Sequence, residues 1–239
     1  MIIKTAFYAS LLASGAQALK IETSTSAYAD LLAQMAVFTD YKSCTVTADR
    51  VKVGADNLKE MKKFKGRDEA WTDEAFPRSL DAIYWKDLDV IKDPNDLLSE
   101  ESLAKVKFKR LSEHEKTKDA PLFGEEGIRP ADINQGALGD CWFLAAAAAI
   151  SERTGLMEKT FETDLNVRGG YAVNFFALGV PQTTVVDDYI PMIKDKPVYA
   201  ELSKDNSLWP MILEKAFAKM QGNYLHIVGG HSEVGVRYL

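Results

Sequence analysis

A chain of 239 residues has room for one or two domains, and with 46 % hydrophobic and 10 % aromatic residues it has the apolar material for a packed core. A formal net charge of -6 argues against a nucleic-acid binder, which is ordinarily basic. No stretch approaches the roughly 18 uninterrupted apolar residues of a membrane-spanning helix, and no internal period marks a repeat protein.

Lys4 and the amino terminus make a positive start, and Ala6 to Ala18 is small and largely apolar. Ala16-Gln17-Ala18 fits a small-x-small cleavage site. Residues 1–18 therefore have the shape of a secretory signal peptide, with a short amphipathic helix as the other reading. From Ser26 to Phe38, the residues Tyr28, Leu31, Leu32, Met35 and Ala36 recur at helical spacing. Thr39 to Gly66 is mixed, and its lysines between Lys59 and Lys65 read as a solvated, weakly structured face. Residues 19–70 are thus taken as a variable N-terminal region. Trp71 to Trp85 gathers Trp71, Phe76, Pro77, Tyr84 and Trp85, an extended segment pinned to a core, and the main folded unit is placed from here on. Leu97 to Lys118 is highly charged and reads as a surface helix or loop with solvent-facing charges.

Cys141 to Ile150 is apolar all round, which predicts a buried central helix. Asp140 is placed to cap its start and Gly155 to end it. Tyr171 to Phe176 alternates, with Tyr171, Val173 and Phe175 on one side. Gly179 and Pro181 mark a turn, and Thr183 to Tyr189 completes an antiparallel hairpin that Pro191 is expected to stop. Leu208 to Met220 carries Trp209, Ile212, Leu213, Ala216, Phe217 and Met220 on one helical stripe, with Pro210 in the first turn and Gly222 beyond the end.

The chemistry concentrates at Cys141. The sequence holds two cysteines, Cys44 and Cys141, which allow at most one disulfide and make no framework. A thiol attacks as the thiolate, and the first turn of a helix favours that anion through its unpaired N–H groups and the positive end of its dipole. An acyl-transfer site also needs donors aimed at the developing oxyanion. The backbone N–H of Cys141 can be one. The Gln135 side-chain amide can be the other, since Gly136 and Gly139 allow the tight path between them.

The run Gln135-Gly136-Ala137-Leu138-Gly139-Asp140-Cys141-Trp142-Phe143-Leu144-Ala145-Ala146 resembles, nearly residue for residue, the active-site signature of the calpain family of cysteine proteases. Asp73, Phe76 and Pro77 resemble the family's opening, and Val185-Val186-Asp187-Asp188 with Pro191 its hairpin. Trp209, Leu213 to Lys219, Gly222-Asn223-Tyr224 and Gly229-Gly230 resemble its next helix and turn. The resemblance runs from about Trp71 to Gly230.

It implies an α+β, papain-like fold. Residues 71–239 would be the first, cysteine-bearing subdomain of the protease core, with a buried central helix, further helices and a small antiparallel sheet. It implies Cys141 as nucleophile, Gln135 as oxyanion donor and peptides as substrates. It also implies calcium, held by Glu125 through its carbonyl, by Gly127 and by Asp132. The acidic ligand expected two residues before Trp209 is here Ser207, which weakens such a site. Asp132 also reads as a turn or cap residue. Asp187-Asp188 reads as a strand-end structural feature rather than a metal pair.

A thiolate protease needs a histidine and a group to orient it. In papain-like enzymes that histidine lies roughly 130–150 residues beyond the cysteine, which is further than this sequence extends. His114 falls in a charged surface stretch, and His226 and His231 flank Gly229-Gly230, where the family does not place its base. The expectation is therefore a half-enzyme, inactive alone, whose histidine and asparagine come from a second subdomain. A non-catalytic peptide- or partner-binding module and a purely structural exported protein are the competing readings. The leader-like start points to export and the family resemblance to the cell interior.

Overall fold

A computed structural model describes residues 48–85, 100–177 and 179–239. The expected leader over residues 1–18, the helix over 26–38 and Cys44 lie outside the described residues. All described residues belong to one unit, Val46–Leu239.

In chain order the regular elements are α1 (Ala48–Lys62), α2 (Glu100–Leu103), β1 (Lys107–Arg110), α3 (Cys141–Ser151), β2 (Gly170–Ala177), β3 (Val180–Asp187), β4 (Tyr189–Ile193), β5 (Lys196–Pro197), α4 (Trp209–Gln221) and α5 (Ser232–Tyr238). The strands form two small antiparallel sheets, β1-β4-β5 and the β2-β3 hairpin. The expected α+β architecture with a buried central helix is the one observed.

The fully apolar α3 is the centre of the packing. Phe143 stacks on Phe217 of α4, with ring centroids 3.8 Å apart and planes within 4°. Phe175 of β2 and Tyr238 of α5 close on the same Phe217 ring. The stripe expected on α4 is buried, including Trp209, Ile212, Leu213, Ala216 and Phe217. Burial on α4 extends well past the stripe: Met211, Glu214, Lys215 and Ala218 are also shielded, because sheet, loop and α3 surround the helix. Gly222 then ends it at φ +117, a conformation that L side chains rarely adopt.

The hairpin is buried on both faces. Val173 and Phe175 enter the main core, while Ala172 and Val185 join Met61, Leu165 and Val167 in a second cluster. Met61 belongs to α1, so the lysine-rich stretch that reads as weakly structured contains a 15-residue helix. Its amphipathic signal is weak, and tertiary burial of Met61 decides. Gly54 lets α1 lie so close to β3 that a Cβ there would be 2.5 Å from the Thr183 carbonyl oxygen.

Two further expectations are corrected. Pro191 does not stop the strand; it lies inside β4, opposite Phe108 of β1. Its carbonyl still accepts the Val198 N–H at 3.0 Å. The break falls instead at Asp188, between β3 and β4, where the chain passes from one sheet to the other. The charges of Leu97 to Lys118 are also not all solvent-facing, since Arg110 is buried.

The reason is a buried ionic junction around Asp187-Asp188. Asp188 pairs with the Arg110 guanidinium and accepts the Ser112 N–H at 2.9 Å. Asp187 pairs with Lys215 of α4 and accepts the N–H groups of Asp73 (2.8 Å) and Tyr189 (3.0 Å). Lys219 bridges Asp73 and the Val185 carbonyl. Burial pulls the Lys215 ammonium below its ordinary pKa, and the adjacent Asp187 opposes that shift. As expected, this acidic pair is a strand-end structural feature: its oxygens are taken by ammonium, guanidinium and backbone groups.

Candidate active site

Cys141 is the first residue of α3, and its thiol is exposed and free. It therefore stands where a helix presents unpaired N–H groups and the positive end of its dipole. The buried body of α3 fixes this end, and Trp142 wedges it from the side. The indole Nε1–H donates to the Ile227 carbonyl at 2.8 Å, and the ring packs on Phe143 and Phe217.

The loop ahead of the thiol is held from both flanks. Ala137 N–H donates to the Val198 carbonyl at 3.0 Å, and the Gly139 carbonyl accepts the Gly229 N–H at 2.9 Å. At Gly136 the Tyr199 carbonyl approaches so closely that a Cβ would lie 1.9 Å from its oxygen, which is why this position takes glycine. Gln135 Nε2 donates to the Leu138 carbonyl at 2.7 Å. That bond folds the amide back over its own loop and engages one of its two N–H groups. The second is the one that could serve an oxyanion.

Asp140 occupies the cap position but does not cap. Its carbonyl accepts the N–H groups of Phe143 (2.8 Å) and Leu144 (3.1 Å), while its side chain makes no cap bond. The carboxyl turns inward beside the buried Glu214 of α4. Sequence reading missed this partnership. The available signal was Glu214, the one acidic residue in a largely apolar helical stretch.

The three histidines lie on other segments of the chain. His226 Nδ1 lies 3.0 Å from the Gln221 carbonyl oxygen, the His226 backbone N–H donates to Asn223 Oδ1, and the imidazole ring packs edge-on against Trp85. His231 is exposed at the start of α5, where its carbonyl receives the Val234 and Gly235 N–H groups. His114 lies just beyond β1, its carbonyl accepting from Thr117 and Lys118.

The residues expected to hold calcium form a tight turn that already contains a cation. Glu125 is exposed, and Gly127 has φ +75. Asp132 is fully buried; Oδ2 accepts the Arg129 N–H at 2.8 Å and Oδ1 faces the Arg129 guanidinium at 3.3 Å. Ser207 is committed to Ser203 (2.7 Å) and Asp205 (2.8 Å) through its hydroxyl. Among the described residues no cluster of three or more Asp, Glu, His or Cys side chains is arranged to hold a metal. Calcium takes six to eight oxygens and draws affinity from carboxylates; the Asp132 carboxylate, expected as a ligand, is here engaged by Arg129.

A family model described as calpain family cysteine protease matches residues 71–238. Over 111 residues the chain is 40 % identical to the calpain-type cysteine protease DEK1 of Zea mays, covering 46 % of this chain and 5 % of that protein. It is 34 % identical over 167 residues to the calpain-1 catalytic subunit of Homo sapiens, covering 68 % of this chain and 22 % of the human one. With calpain-B of Drosophila melanogaster the identity is 35 % over 116 residues, 47 % of this chain and 12 % of the fly protein. The chain thus spans less than a quarter of the length of each of these relatives.

Proposed function

This chain belongs to the calpain family of cysteine proteases, and from that premise we propose that it supplies the nucleophile side of a peptide-bond-cleaving site. The carrying observation is the exposed Cys141 thiol at the start of a buried helix, six residues after an amide already folded over the intervening loop.

In this reading the Cys141 thiolate attacks the carbonyl carbon of a peptide substrate. A C–S bond forms, and the carbonyl π pair moves onto oxygen. The Cys141 N–H and the remaining Gln135 N–H receive that oxyanion. Collapse expels the amine, which takes a proton from an imidazolium, and water then hydrolyses the thioester. The imidazole is assigned to a second subdomain on the strength of the family resemblance, and the ring of His226 is held by the Gln221 carbonyl. The chain alone is therefore expected to carry a reactive thiol without turnover. No membrane-spanning helix occurs among the described residues, and peptides are the substrate class this reading assigns.

The test is labelling of Cys141 with an epoxide thiol probe, together with peptide turnover, for the chain alone and with a calpain second subdomain added. Labelling in both cases and turnover only with the addition supports the reading. Peptide binding that survives Cys141→Ser, with no labelling under either condition, would replace it by a non-catalytic binding module.

A further inference from the structure

Two buried carboxyl groups play no part in the chemistry above. Asp140 directly precedes Cys141 and has no solvent exposure, and Glu214 in the middle of α4 is 2 % exposed. The two side chains are neighbours, each feeling the other electrostatically. Both Asp140 oxygens and Glu214 Oε1 are buried without a partner among the described residues, whereas Glu214 Oε2 accepts the Ala200 N–H at 2.6 Å. The neighbouring cations of α4 face elsewhere: Lys215 bonds Asp187 and the Tyr189 carbonyl, and Lys219 bonds Asp73 and the Val185 carbonyl. The remaining titratable groups on this side are the phenols of Tyr224 and of Tyr199, whose rings pack 4.6 Å apart. Burial, then the Glu214 charge, pushes the Tyr224 phenol well up, so it stays neutral.

Two carboxylates in contact in a dry site cannot both hold charge, since each loses hydration and each repels the other. One proton between them turns unpartnered acceptors into a donor and an acceptor. We propose that Asp140 and Glu214 share one proton as a carboxyl–carboxylate pair, and that the pair positions the nucleophile. Asp140 holds the base of Cys141 to Glu214, and Glu214 holds Ala200. The adjoining Val198 and Tyr199 carbonyls back Ala137 and Gly136. The pair thereby keeps the thiol in register with the Gln135 loop. These are positioning residues, and the inference rests on Cys141 being the nucleophile.

The electrostatics agree. Burial first of all raises the Asp140 carboxyl to about 7. Glu214 is held well above its ordinary range by burial and then by the Asp140 charge. The folded state therefore binds more protons than the unfolded chain between the ordinary carboxylate range and about 7. The stability this adds is complete at acid pH and is lost as pH rises through about 7.

The experiment uses the full chain from about pH 5 to about pH 9. Difference infrared spectroscopy follows the protonated-carboxyl stretch, and iodoacetamide alkylation is read on the Cys141 peptide by mass spectrometry, which separates it from Cys44. The parent should show a protonated carboxyl that is still present at neutral pH and disappears as the pH is raised further. Its alkylation rate, corrected for thiol ionisation, should break over the same range. Glu214→Gln can accept from Ala200 and donate to Asp140 at every pH, so it should stay folded and lose the break. Glu214→Leu should be several-fold slower throughout. An unchanged break in Glu214→Gln, or no protonated carboxyl in the parent at neutral pH, overturns the proposal. If neither variant folds, the infrared titration of the parent decides. A thiol that the epoxide probe never labels would remove the nucleophile reading, while the infrared result still judges the pair.

Discussion

Replacing Gly136 by alanine should displace the loop that carries Gln135, the proposed oxyanion donor. The new Cβ would sit 1.9 Å from the Tyr199 carbonyl oxygen, 2.3 Å from its carbon and 2.8 Å from its Cα, all backbone atoms that no rotamer can move. Restoring ordinary contact needs a separation of about 1.5 Å between the loop and the Tyr199 segment. The adjacent Ala137–Val198 bond, 3.0 Å in the native chain, would then pass out of hydrogen-bonding range. Overpacking of this kind costs about 1–3 kcal/mol, and the lost bond about 1 kcal/mol more. The sum, about 2–4 kcal/mol, corresponds to a fall in Tm of roughly 4–16 °C for a domain of this size. Gly139→Ala in the same loop is the control, because its Cβ meets only the Val228 side chain at 3.2 Å. Calorimetry on both variants should separate them clearly. In the complemented enzyme a loop shift of this size should also cost on the order of a hundredfold in turnover. If Gly136→Ala melts with the parent, or no lower than Gly139→Ala, the loop is not pinned by the Tyr199 segment and the geometric argument fails.

Lys215→Met strands the Asp187 carboxylate in the interior, and should destabilise by about 3–5 kcal/mol in urea unfolding. Gly230→Ala drives a Cβ to 2.5 Å from the Trp142 indole, so it should cost about 1–3 kcal/mol and change the tryptophan emission that reports on that ring. Cys141→Ser should abolish epoxide labelling at this site while leaving Tm close to the parent, since the thiol is exposed. Asp140→Asn should flatten the decline in stability between the ordinary carboxylate range and about pH 7, measured as Tm against pH.

Local sequence carried the placement of Cys141 and its surroundings. An apolar run opening on Cys141 can only be a buried helix with the thiol at one end, and the stripe from Trp209 to Met220 can only face a core. The Gln135–Ala146 signature and the hairpin alternation were legible for the same reason: periodicity and motif spacing are properties of neighbouring residues. What the fold alone decided were the partners of the buried charges. Asp140 reads as a helix cap, but α4 brings Glu214 beneath it and turns its carboxyl inward. Arg110 reads as a surface charge until Asp188, 78 residues further on, is folded against it. Pro191 reads as a strand stop because one strand cannot reveal that Val198 will donate to its carbonyl. A charge or a carbonyl specifies only the kind of partner it needs, and which distant group arrives is settled when elements far apart in the chain are packed together.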